Sequence, residues 1–598
     1  MLDSLIPFLV GFPAVAAILV LVLSRFLAMS WRLWGAIASV VLAAVTVPIL
    51  MLWGSVGAGP IYSPTLVWLP LPSFNLYFTY YVDGLNLVFA TLSTAVTLAV
   101  VVHRAVSPST DPDREPVFFA SALFLVSVML HTLLSVDLLG LYLGWEMVGL
   151  CSYGLIALYH RDLPTAKAAR NMLGLFHLGG YGLLGAATLL AAGSQPSLLL
   201  TSPGPISTSV FLLLLLAAIV RANQFPMHGW TLPLLSIART PAAIISSAGL
   251  ANVALYLLAR TYSLGGGSWE PRWQYVVVAL GIASVVVGSF GARQAPGLRE
   301  ALAYSAVADF GLAFTALGVG TPEAVAAALL YAVNFSLARG ALFLLLPPSI
   351  ADVVPQRGRV GRIAMVVLGW MGVAALAGLP PFLGFTARWL LFTTALDAGF
   401  WVVALVGVLA GTITLVTFMR ALVVVLGSGQ ALRVSRWMAG VLLLPSLLLA
   451  LGPGWLVRGW LEPAVTAMMP TVRPDLFDLG PLGVSVVGFG PSSWAVLAMM
   501  VLSVVLAVGL SGLPLRDLLA PSEAALARLG GTKGIEARLS PARALPWLVD
   551  SAFVYHRVAL ALQRATSLAH VVVDRWQGRY PMTSILLLLV LMLLVFLR

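Results

Sequence analysis

The chain has 598 residues, 60% of them apolar and 9% charged, with a mean hydropathy of +1.00. Water-soluble domains carry about 25% charged residues, so this composition excludes a soluble enzyme or scaffold and predicts a polytopic membrane protein. The formal net charge of +11 does not signal nucleic acid, because the basic residues are spread among short connections. The one cysteine, Cys151, excludes a disulfide framework, a cysteine-ligated zinc site and an iron–sulfur cluster.

Apolar runs long enough to cross a bilayer core of roughly 30 Å recur from one end to the other. They fall near 4–25, 31–53, 82–103, 117–136, 137–159, 171–192, 208–226, 236–259, 274–292, 301–318, 322–346, 363–386, 399–419, 438–457, 486–511 and 583–597, sixteen in all. In lipid every backbone polar group needs an internal partner, so these spans are expected to be helices. The alternating segments of a barrel are absent. Met1–Arg25 lacks a basic leader region and a small-residue cleavage site, and reads as the first helix.

The connections support the count. Arg25/Arg32, Arg104/Arg114, Arg161/Lys167/Arg170, Arg293/Arg299, Arg357/Arg359/Arg362 and Arg420/Arg433/Arg436 fall on alternate connections, while 54–81 and 193–207 carry no Lys or Arg. That asymmetry marks the cytoplasmic side and places both termini on the opposite one. The longest polar stretch, 512–582, is expected to be cytoplasmic, and its part Trp547–Gln577 reads as an amphipathic helix against the membrane or neighbouring subunits.

Two spans carry breakers at their middle, Gln224-Phe225-Pro226 and Gly378-Leu379-Pro380-Pro381. Proline removes an intrahelical hydrogen bond and clashes with the preceding turn. Paired interruptions in two halves of a transporter point to inverted repeats and an ion path near mid-membrane, and a plain proline kink is the rival reading. The expected layout is N-terminal helices 1–110, a first five-helix repeat 111–265, a second 266–425, further helices 426–511, the polar segment 512–582 and a final helix 583–598.

Charges at membrane depth cost several kcal/mol and usually belong to a pathway or a pair. Glu146 is centred in the fifth span, within Gly144-Trp145-Glu146-Met147-Val148-Gly149-Leu150-Cys151-Ser152-Tyr153. A desolvated carboxyl can take up and release a proton, and the rival reading is a fixed counter-ion for an arginine. Asp137 lies at the head of that span and reads as solvated. Arg221 precedes the first interruption, Arg299 opens the tenth span, Arg339 lies within the eleventh and Arg388 follows the second interruption. Arg299 can serve orientation alone, and Arg388 can reach the interface. His131, His177 and His228 titrate near neutrality, yet scattered histidines are more often satisfied core residues than a relay.

The segment Gly144–Tyr153 resembles the glutamate-bearing fifth helix of the antiporter-like subunit L family of respiratory complex I. Gln224-Phe225-Pro226-Met227-His228-Gly229-Trp230 with Thr240-Pro241, Leu302-Ala303-Tyr304-Ser305, and Gly378-Leu379-Pro380-Pro381-Phe382-Leu383-Gly384-Phe385 are similar to three further elements of that family. The resemblance covers roughly 75–420 and extends to cation/proton antiporter complexes, membrane-bound hydrogenases and a bicarbonate-uptake complex. It implies a proton-translocating (or Na⁺-translocating) subunit of a redox-driven assembly, with other membrane subunits as partners. It implies no redox cofactor, metal or chemical catalysis in this chain, and the cell's inner (plasma) membrane as location.

This chain departs from that family in its cations. The family has lysines on the helices matching those of Arg221, Arg299, Arg339 and Arg388, whereas only Lys167 and Lys533 occur here. Ser247 and Phe335 stand where the family has histidines, and Gly180 where it has an aspartate. Arginine keeps its proton in proteins, so the arginines can modulate Glu146 without relaying its proton. The expected ion path is therefore Glu146, Arg221, His228, Arg299, Arg339 and Arg388, with Arg221 replaceable by lysine. The alternative is a non-pumping structural or coupling subunit of an inorganic-carbon uptake or hydrogenase-type complex.

Overall fold

A computed structural model describes residues 2–27, 29–70, 75–107, 109, 111–157, 163–192, 199–200, 206–230, 250–295, 298–345, 359–427, 436–451, 457–470 and 491–511. The polar segment 512–582 and the last expected span, 583–597, lie outside these residues. So do Thr240-Pro241 and Ser247.

The described chain is α-helical: α1 Leu2–Leu23, α2 Trp31–Leu52, α3 Gly84–Val106, α4 Glu115–Leu134, α5 Leu138–Ala157, α6 Leu163–Ala191, α7 Thr208–Arg221 and α8 Ala251–Leu264. There follow α9 Pro271–Gln294, α10 Leu298–Val319, α11 Pro322–Leu345, α12 Arg359–Ala377, α13 Leu383–Asp397, α14 Trp401–Gly427, α15 Arg436–Leu451, the short α16 Glu462–Met468, and α17 Pro491–Ser511. Eleven of them are long and apolar enough to cross a membrane, and Thr208–Arg221, Val366–Ala377 and Gly440–Leu449 are shorter apolar helices. The chain is a polytopic α-helical membrane protein. One departure from the all-helical expectation lies between α2 and α3, where Ile61–Tyr62 pairs with Tyr81–Val82, and Leu66–Pro70 with Asn75–Phe78, as two small antiparallel ladders.

Local chemistry fixes the helix ends. Asp83 caps α3 by accepting from Asn86 N at 3.0 Å while Asn86 returns the bond to Asp83 N at 2.9 Å, a reciprocal capping box that satisfies two orphan donors. Asp137, read as solvated, instead caps α5: its Oδ1 accepts from Gly140 N at 2.7 Å.

Packing follows the chain closely, with α4 on α5, α5 on α6, α6 on α7, α9 on α10, and α11 against both α13 and α15. At the α9–α10 contact a β-carbon on Gly281 or Gly311 would press on the other's carbonyl, so small residues let the two backbones meet. From Ala324 to Leu345 every residue of α11 is buried, and α10 is buried from Ala301 to Val319 apart from Tyr304. By contrast α1, α2 and α17 expose Ile18, Val40, Met51, Val501 and Val505, a surface suited to lipid rather than water.

The two breaker segments share one backbone geometry. Gln224 N bonds to Ile219 O at 3.0 Å and Met227 N to Gln224 O at 2.7 Å; Leu379 N bonds to Ala374 O at 2.8 Å and Phe382 N to Leu379 O at 3.1 Å. The residue before each has positive φ, +52° at Asn223 and +69° at Gly378, and Phe225-Pro226 and Pro380-Pro381 are both cis. These are therefore breaks rather than kinks: α7 ends at Arg221, and α12 and α13 are separate helices across 378–382.

Candidate ion-translocation site

Glu146 on α5 meets His177 on α6, with Oε2 2.5 Å from Nδ1. The imidazole side chain is 37% exposed and the carboxylate 18%, so the pair opens toward the outside of the bundle rather than lying sealed in its core. The second oxygen, Oε1, lies against Gly180, where a β-carbon would overlap it. Among the described residues Oε1 meets no hydrogen-bond donor. An imidazole N–H donating to a carboxylate is a charge-assisted bond, and both groups can exchange a proton.

Arg221, expected to act on Glu146 directly, makes no ion pair with it within 4.0 Å; the carboxylate's ion-pair partner among the described residues is His177. Arg221 is the last residue of α7. Its Nη2 donates to Trp145 O at 2.7 Å, and its Cζ stands 4.0 Å from the Trp145 ring centroid and 4.8 Å from that of Phe176. It is held by aromatic faces and one carbonyl, and reaches Glu146 only through space.

Side chains satisfy the groups freed by each break, as helix ends in a dry setting require. Trp230 Nε1 donates to Val220 O at 2.8 Å, Gln224 Nε2 to Ala222 O at 2.9 Å, and Phe225 N to Ser284 Oγ at 2.9 Å. At the second break Arg388 Nη2 donates to Leu376 O at 3.2 Å and Asn334 Nδ2 to Ala375 O at 2.9 Å. Arg388 is therefore buried at the break, not extended to the interface. His228 is buried beside the first break, 6.0 Å from the Phe225 ring, with neither ring nitrogen hydrogen-bonded among the described residues.

In the second half Arg339 Nη2 lies 2.5 Å from Asp309 Oδ2, both side chains at most 3% exposed. The Arg339 guanidinium also faces the Phe310 and Phe335 rings, each at 5.7 Å. Arg299 is in the first turn of α10, and its side chain is outside the described residues.

Three participants stand outside the expected ion path. His177 reads from sequence as one more core histidine. Asp309 stands in an apolar span as Glu146 does, so the same signal, a carboxylate at membrane depth, could have found it. Arg260 pairs with Asp83 through two bonds of 2.8 and 3.0 Å. Of the other histidines, His131 bridges Tyr80 Oη and Gly140 O at 3.0 Å each, which ties α4 to α5 and is a satisfied structural role.

Residues 135–414, which contain both breaks and the pairs at Glu146 and Asp309, match the family described as NADH:quinone oxidoreductase/Mrp antiporter, TM. This stretch is an antiporter-type transmembrane domain of the complex I and Mrp kind. The large subunit of a Na(+)/H(+) antiporter from Alkalihalophilus pseudofirmus is 28% identical over 470 residues, 70% of this chain and 57% of that relative. The antiporter-type chain thus spans little more than half of that relative's length. Two solved structures share its fold: the Mrp complex from Dietzia sp. DQ12-45-1b, at a TM-score of 0.75 and 21% identity, covering 99% of this chain and 62% of that one; and an archaeal membrane-bound sulfane sulfur reductase, at 0.71 and 19%, covering 98% and 99%.

Proposed function

We propose that this chain is a cation/proton antiporter-like subunit working inside a multi-subunit membrane complex, with the Glu146–His177 pair as its proton-loading group. The observation that carries the reading is the 2.5 Å contact between a carboxylate and an imidazole on apolar helices. Protons or Na⁺ are the ions, redox or antiport chemistry in other subunits is the energy source, and the plasma membrane is the location. Residues 111–265 and 266–425 form the two inverted repeats, a division supported by the shared hydrogen-bond pattern at Gln224 and Leu379. Arg221, Arg299, Arg339 and Arg388 supply fixed charge, and His228 lines the first break. Both termini face away from the cytoplasm.

The test is ion flux in vesicles holding the whole complex. Glu146→Gln should abolish coupled proton movement with assembly intact, and His177→Gln should slow it. A second reading, a non-pumping coupling subunit, draws support from the arginines, which are tied to carbonyls and a carboxylate and cannot release protons. Unchanged flux in Glu146→Gln would favour it and remove the first reading.

A further inference from the structure

The two halves of the antiporter-type domain place a carboxylate and a cation in the same order. In the first, Glu146 on α5 contacts His177 on α6, 31 residues on, and α7 then ends at a break. In the second, Asp309 on α10 contacts Arg339 on α11, 30 residues on, and α12 then ends at a break of the same backbone geometry. We propose that Asp309 is a second proton-binding carboxylate, the counterpart of Glu146, and that Arg339 is the positioning residue that holds it until a proton arrives. This rests on the reading of the chain as a proton-moving subunit.

The surroundings favour a working group over a static one. Asp309 faces two cations, Arg339 on α11 and Arg388 on α13, together with Tyr331 on α11. With all three charges present the cluster carries a net positive charge. Placing two guanidinium groups near one carboxylate in a buried site costs desolvation that one pair cannot recover, so a stability role alone gives little reason for the arrangement. Of these charged groups only the carboxylate exchanges protons. A proton adds to an Asp309 oxygen, the contact from Arg339 Nη2 opens, and the guanidinium keeps all its hydrogens; loss of the proton to water restores the contact. The site is also joined to the first half. Gln224 Nε2, at the first break, reaches the carbonyl of Val307 at 3.5 Å, one turn or less before Asp309 on α10. Arg388, at the second break, completes the series.

Proton flux in vesicles holding the intact complex tests the assignment. Asp309→Asn alone leaves Arg339 charged and buried, so the informative variant is Asp309→Asn with Arg339→Gln, which removes both charges together. If Asp309 binds the transported proton, this double variant assembles and its flux falls to that of empty vesicles. Flux equal to the parent's overturns the proposal and leaves the pair a structural tie. Loss in the double variant while Glu146→Gln still conducts would sink the first-half reading instead, so the two can fail separately. Should the double variant not assemble, Asp309→Glu decides by infrared difference spectroscopy on protein with isotopically labelled aspartate. The protonated-carboxyl band that responds to pH must leave the labelled set on that substitution, and its persistence overturns the proposal.

Discussion

The carboxylate of Glu146 rests on the backbone of Gly180, in space that only a glycine leaves open. This contact crosses from α5 to α6 and aims the other carboxylate oxygen at His177, one turn earlier on the same helix. Gly180→Ala should therefore push the carboxylate off the imidazole. Alanine raises intrinsic helix stability by about 1 kcal/mol over glycine, so the expected result is lowered proton flux in a complex at least as easily assembled. Flux measured beside thermal stability separates the two effects, and undiminished flux would show that the carboxylate has room elsewhere.

Arg221 was expected to tolerate lysine, on the ground that charge alone mattered. Its guanidinium lies over Trp145 and Phe176 and holds the Trp145 carbonyl, a stacked, forked geometry that an ammonium cannot copy. Arg221→Lys should keep assembly and lose part of the flux, and Arg221→Ala should lose more. Equal flux for lysine and arginine would return the role to charge alone.

The Asp83–Arg260 pair is buried at the start of α3, and the guanidinium also faces Tyr81 and Tyr256 at 5.1 and 5.2 Å. Arg260→Met strands the carboxylate, and breaking such a pair costs roughly 3–5 kcal/mol. Adding Asp83→Asn should recover most of this, because asparagine caps a helix as well as aspartate does. Thermal unfolding of the purified protein in mild detergent reads both steps.

At Asp137, burial pushes the carboxyl's pKa up, against the opposing bonds from the Gly140 and Leu139 backbone. A raised value means that the folded state favours the protonated form, so this group's contribution to stability is greatest at low pH and falls as pH rises through its folded-state pKa. Asp137→Asn keeps an acceptor for Gly140 N without the buried charge and should match or exceed the parent's stability at neutral pH. Asp137→Ala removes the cap and should lose about 1 kcal/mol. Unfolding temperatures across pH distinguish the three proteins.

Much of the site was legible because charge is rare in an apolar chain. Glu146, Arg221, Arg339 and Arg388 each interrupt or adjoin a hydrophobic run, and the structure buries or half-buries all four. Asp309 meets the same criterion, although the expected path was built on the cations. His177 carries no such mark, since a histidine in a membrane helix has many ordinary uses.

The sequence by itself determined the class, the course of the helices and the position of both breaks. Each of these is a local property: dehydration requires helices wherever the chain is apolar for long enough, and proline acts on its own turn. Partnership was decided only by the tertiary structure. Arg260 finds Asp83 across 177 residues of chain, and Glu146 finds His177 rather than Arg221. In a low-dielectric interior a charge must take whichever partner packing brings within reach, and that choice depends on how α5, α6 and α7 meet rather than on spacing along the chain.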